Sequence, residues 1–127
     1  MTNNIINEFL DPINTFAVIG VSRDETKYGR KVFNFLKNKG FKVFPINPKV
    51  DLINGEKCYS SLDDLPVLPD VVSFIVPPSI TKVIVEKCRE LGINKVWLQP
   101  GSESEEVIKF CKDNNIECVH NQCVLLN

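Results

Sequence analysis

The sequence predicts an α/β fold: a five-stranded, mostly parallel sheet with helices on both faces. Two observations carry this. Apolar, β-branched runs recur at residues 16–19, 41–46, 71–76, 96–98 and 117–119, with helix-period patterns between them. The runs are nearly continuous in apolar residues rather than alternating, as strands buried on both faces require.

The elements follow in order. Residues 1–13 place Ile5, Ile6, Phe9 and Leu10 on one side of an N-terminal extension or short amphipathic helix that stops at Asp11-Pro12. The first strand ends at Gly20, and a polar, basic loop leads to a helix that starts near Gly29, buries Val32, Phe33 and Leu36, and stops at Gly40. A second strand ends at Asn47-Pro48-Lys49. Residues 50–69 break the rhythm and are expected to form a loop and one short helix, with Ser61 and Asp64 at capping-box-like spacing. Pro77-Pro78-Ser79 then opens a helix whose apolar face is read as Ile80, Val83, Ile84, Lys87, Cys88 and Leu91, with Gly92 as its stop. A helix from Ser104 carries Glu105 and Glu106 at the positive end of its dipole, buries Val107, Ile108 and Cys111, and ends at Asn114-Asn115.

At 127 residues, 43% hydrophobic and 24% charged, the chain is expected to form one domain spanning 1–127. Without a secretion-like start or a bilayer-length apolar run it is expected to be cytoplasmic, with no membrane partner. The five cysteines lack C-x-x-C spacing and read as buried free thiols. A formal net charge of −1 conceals an asymmetry: residues 23–49 hold eight cations against Asp24 and Glu25. So confined a basic segment points to a small anionic ligand, not a nucleic acid.

Residues 18–49 have the strand–loop–helix–strand order that sets backbone N–H groups against a phosphate. The dinucleotide pattern G-x-G-x-x-G is broken by Ser22, and Lys49 follows the second strand where an acidic residue would hold an unphosphorylated ribose. A lysine there suits a ribose carrying phosphate, as in coenzyme A or NADP. The domain is therefore Rossmann-like, with its ligand edge formed by the loops after each strand, among them 20–30, 47–49, 76–79, 98–102 and 120–123.

Together Ile19-Gly20-Val21-Ser22, Lys27-Tyr28-Gly29, Asn47-Pro48-Lys49, Val76-Pro77-Pro78 and Trp97-Leu98-Gln99-Pro100-Gly101 resemble the small stand-alone coenzyme A-binding proteins. Their domain is similar to the N-terminal coenzyme A-binding domain of succinyl-CoA synthetase α-subunits. The resemblance covers about residues 14–123. It implies coenzyme A or an acyl-CoA as ligand. Gly20 and Ser22 would lie at the phosphate loop, Tyr28, Gly29 and Arg30 would form the helix start facing the diphosphate, and Arg23 and Lys27 would add charge. Lys49 would meet the adenosine 3′-phosphate, Val76, Pro77 and Pro78 would wall the adenine or pantetheine, and Leu98, Gln99 and Gly101 would line the tail. The synthetases' phosphorylated histidine belongs to a second domain not expected here.

Two rivals stay open: an NADP- or NAD-binding regulatory module, and an enzyme acting on an acyl-CoA thioester through Cys123 or His120. No G-x-S-x-G elbow accompanies the single histidine, and Asp63-Asp64 and Glu105-Glu106 read as caps or surface charge, so no catalytic residue or metal site is assigned. Trp97 is read as core or adenine-side packing. The sequence leaves a protein partner or a homo-oligomer open.

Overall fold

Alternate residues of a strand point to opposite faces, and here both sets are apolar. Phe16 and Val18 join one buried cluster and Ala17 and Ile19 another, so the strand they share must lie between two covered faces. The computed structural model describes residues 2–127 and runs, in order, through helix α1 (Thr2–Phe9), strand β1 (Thr15–Ile19), helix α2 (Tyr28–Asn38), strands β2 (Lys42–Ile46), β3 (Leu52–Ile53) and β4 (Glu56–Lys57). A 3-10 turn (Leu62–Asp64), strand β5 (Val71–Phe74), helix α3 (Pro78–Leu91), strand β6 (Lys95–Leu98), helix α4 (Glu105–Asp113), strand β7 (Glu117–Val119) and a last 3-10 turn (Val124–Leu126) complete it. Met1 of the expected N-terminal helix lies outside the described residues.

The main sheet is parallel throughout, in the order β2-β1-β5-β6-β7. The chain therefore reverses its direction of travel across the sheet between β1 and β5, and the carboxyl ends of these two strands form the switch point where ligands of such folds bind. Helices α1 and α2 pack against one face, where Phe9 meets Trp97 edge to face at 6.2 Å. Trp97 is wholly buried on this side, and its indole N–H donates to the Gln122 carbonyl at 2.8 Å. Helices α3 and α4 cover β5, β6 and β7 on the other face through Val85, Cys88, Val107 and Cys111. Over β1 and β2 that second face has no helix. The segment near Tyr59 covers it only in part, pairing with Ile46 and exchanging hydrogen bonds with Pro45 and Asn47.

Most expected boundaries hold within two residues, and the local stop signals hold as well. Gly40 and Gly92 adopt φ of 94° and 80°, and Asn115 takes 58°. The Ser104 side chain caps α4 by accepting from the Val107 N–H at 3.2 Å.

Three expectations are corrected. Residues 50–69 contain the antiparallel β3–β4 hairpin, turned at Asn54-Gly55 with both φ positive (52° and 79°), the conformation that an Asn-Gly pair favours. Ser61 does not cap the turn that follows: its hydroxyl donates to the Asp64 carboxylate at 3.3 Å. The core stripe of α3 is Thr81, Val85 and Cys88, whereas Ile80 and Val83 are 47% and 63% exposed. Among the described residues, no helix is long and apolar enough to cross a membrane.

Candidate functional site

Where the second face lacks a helix, a groove of about 870 Å³ opens. Ile19 and Ile46 form its floor, and the exposed stripe Ile80, Val83, Ile84 of α3 forms one wall. Asn47-Pro48-Lys49 and residues 60–63 form the other, and Gly20 and Val76 stand at its head, at the switch point. Lys87, Glu90 and Phe110 close the far end, where Lys87 reaches across to Asp63 at 3.4 Å.

The head of the groove is built by two close approaches of backbone. Gly20 has φ of 102°, and a Cβ on it would stand 2.3 Å from the Ile75 carbonyl oxygen. A Cβ on Gly29 would stand 2.1 Å from the carbonyl oxygen of Gly20. Helix α2 thus begins directly against the end of β1. Glycine is required at position 29 to let helix and strand-end touch. The N–H groups of Tyr28, Gly29 and Arg30 occupy the first turn, out of reach of the helix's own carbonyls, and Lys27 at the N-cap position offers no side-chain cap. These donors, at the positive end of the helix dipole, suit an anion.

The second basic element is fixed by Asn47. Its Nδ2 donates to the Val21 carbonyl at 2.8 Å, and its Oδ1 accepts from the Lys49 N–H at 2.9 Å, so the segment carrying Lys49 is tied to the loop after β1. Lys49 is exposed and lines the groove.

Of the residues singled out in the sequence, the groove gathers Gly20, Lys49 and Val76. Ser22, Arg23 and Lys27 lie on the loop between β1 and α2, where the Ser22 hydroxyl accepts from the Asp24 N–H at 2.9 Å. Pro77 and Pro78 serve as N-cap and first residue of α3, not as groove wall. Leu98 and Gln99 are fully buried and Gly101 is exposed, all three apart from the residues that line the groove.

The Arg30 side chain reaches back to the loop before α2, donating to the carbonyls of Ser22 and Arg23. It turns inward and is 3% exposed. Tyr28 likewise turns to the α2 side, where its hydroxyl lies 3.0 Å from Gln99 Oε1 and 2.9 Å from Cys123 Sγ. Burial, reinforced by the Cys123 contact, pushes the Tyr28 phenol well above its ordinary range. Gln99, just past β6, is polar and buried with three side-chain hydrogen bonds: Nε2 donates to Ser73 at 3.1 Å, and Oε1 accepts from Tyr28 and from the Val124 N–H. The His120 Nδ1 is buried without a hydrogen-bond partner. Among the described residues, no group of three His, Cys, Asp or Glu side chains converges as a metal site.

Sequence reasoning missed the exposed wall of α3. Its signal was present, since Ile80, Val83, Ile84 and Lys87 share one helical stripe, but a stripe alone does not tell a buried face from one that borders a groove.

Residues 14–127 match the model of the CoA binding domain family. The chain is 34% identical over 131 residues to the α-subunit of acetate–CoA ligase (ADP-forming) II of Pyrococcus furiosus, an alignment covering 94% of this chain and 28% of that subunit. It is 30% identical over 116 residues to the acetate–CoA ligase (ADP-forming) of Methanocaldococcus jannaschii, covering 85% of this chain and 16% of the ligase. The chain thus spans less than a third of the length of these curated relatives. A solved structure of a conserved hypothetical protein from Pyrococcus furiosus superposes with a TM-score of 0.84 at 38% identity, covering 90% of this chain and 98% of that one.

Proposed function

The chain belongs to the CoA binding domain family, and from that premise we propose that it binds coenzyme A or an acyl-CoA in the groove at the switch point. One observation carries the reading: a single groove joins Gly20, against which the uncapped first turn of α2 packs, to Lys49 across an apolar floor. A ligand with a diphosphate, a flat apolar base and a separate sugar phosphate uses each of these. The diphosphate accepts from the α2 amides, the base lies between Ile46 and the Ile80–Ile84 stripe, and Lys49 meets the 3′-phosphate. The names of the curated relatives, acetate–CoA ligases, accord with this ligand. What is proposed is binding.

The test is calorimetric titration of coenzyme A, dephospho-coenzyme A and NAD into the protein and its Lys49→Ala variant. A charge-assisted contact is worth about 1.5–3 kcal/mol. Lys49 is exposed, so the lower end applies, and Lys49→Ala is expected to weaken coenzyme A about tenfold while leaving dephospho-coenzyme A nearly unchanged. Equal losses for both would remove Lys49 from the 3′-phosphate, and tighter binding of NAD than of coenzyme A would overturn the ligand assignment.

A further inference from the structure

Arg30 is a buried charge that the proposed ligand contacts leave unused. Its side chain is 4% exposed, and among the described residues its ionic partner is Glu25, 3.7 Å away and 76% exposed. The acceptors around the guanidinium are neutral: Asn34 Oδ1 at 3.2 Å, the Ser22 carbonyl at 3.4 Å, the Arg23 carbonyl at 2.9 Å and Asn54 Oδ1 at 2.7 Å. A guanidinium is a cation with five donors to satisfy, and burying it against neutral dipoles, with one exposed carboxylate 3.7 Å away among the described residues, is costly. That cost falls if an anion settles nearby.

The direction of the hydrogen bonds says where. A trans peptide points its N–H opposite to its C=O. By drawing in the carbonyls of Ser22 and Arg23, Arg30 turns the N–H groups of Arg23 and Asp24 away from itself; the Ser22 hydroxyl takes that of Asp24, and that of Arg23 is turned outward. The loop preceding α2 thereby keeps the Arg23 N–H on the side away from a fixed positive charge, so that donor and charge favour an anion from the same direction. Asn54, at the tip of the β3–β4 hairpin, holds the other end of the guanidinium in the shortest of these contacts.

We infer that Arg30 is a positioning residue for the phosphate groups of the ligand, acting through the Ser22–Arg23 peptide, and that Asn54 locks it in place, so that the phosphate loop and the β3–β4 hairpin work as one unit. The inference rests on the coenzyme A reading only in taking the anion to lie at the start of α2.

Titrations of coenzyme A and ADP into the wild-type chain, Arg30→Met, Arg30→Lys, Asn54→Ala and the double variant Arg30→Met/Asn54→Ala test it, with folding checked by circular dichroism. Arg30→Met is expected to weaken both ligands by about tenfold or more, since both carry the diphosphate. Arg30→Lys is expected to recover part of the loss, because the charge returns without the fork. Asn54→Ala weakens both ligands less, and adds nothing to Arg30→Met if it acts through Arg30. A buried charge also escapes screening, so the Arg30 effect persists in about 0.5 M salt, where the effect of exposed Lys49 shrinks.

Unchanged affinity in folded Arg30→Met overturns the inference while leaving the coenzyme A reading intact. Should that variant not fold, unchanged affinity in both Arg30→Lys and Asn54→Ala does the same. ADP binding that depends on Arg30 without coenzyme A binding would retain the inference and discard the coenzyme A reading. A wild-type chain that binds neither ligand defeats both.

Discussion

Replacing Gly29 with alanine sets two effects of opposite sign against each other. In a helix, alanine is favoured over glycine by about 0.5–1 kcal/mol, so propensity alone makes Gly29→Ala stabilising. Against this, the new Cβ would lie 2.1 Å from the Gly20 carbonyl oxygen, whereas real Cβ contacts keep beyond 3.0 Å. The first turn of α2 would have to retreat by about an ångström. Gly20 cannot yield instead: its N–H is bonded to the Ile46 carbonyl at 2.9 Å, and the Ile75 backbone stands behind it. Forced overpacking costs about 1–3 kcal/mol, which at the middle of that range outweighs the propensity gain and leaves a net loss of about 1 kcal/mol. For a chain of this size that lowers the melting temperature by about 4–8 °C. Because the retreating turn carries the amides assigned to the diphosphate, coenzyme A affinity should fall as well, by about tenfold for one lost charge-assisted contact. Thermal unfolding with and without coenzyme A measures both. A Gly29→Ala variant that melts at or above the wild-type temperature would refute the packing argument, however its ligand affinity changed.

Two further outcomes are expected. Ser104→Ala removes the side-chain cap of α4 and should cost about 1 kcal/mol by denaturant unfolding, while coenzyme A affinity stays put. Asp24 is held below its ordinary carboxylate range chiefly by the Thr26 hydroxyl, then by the Thr26 N–H. A depressed pKa contributes stability that is complete above the unfolded value near 3.8 and is lost as pH falls below it. The melting-temperature gap between wild type and Asp24→Ala should therefore be constant above about pH 5 and close below pH 4, and a gap that widens on acidification would contradict this.

What the sequence by itself determined are the features set by neighbours a few residues apart. Strand and helix positions followed from apolar period, and Gly40, Gly92 and Asn115 ended helices because a left-handed residue suffices to stop one. The order β1–loop–α2–β2 and the ligand class it suggests were legible for the same reason, since they lie within 32 residues of continuous chain. The Asn54-Gly55 hairpin was equally local and was overlooked in a stretch that otherwise resembled loop. Tertiary structure decided the rest, because it depends on partners distant in sequence. Arg30 and Asn54 are 24 residues apart, so only folding could turn a cation in the first turn of α2 inward. Tyr28 meets Gln99 and Cys123 across 71 and 95 residues, contacts that no local pattern announces. The groove itself follows from strand order. With β5 placed beside β1, helices α3 and α4 are carried over β5, β6 and β7, and the face of β1 and β2 is left open as a groove.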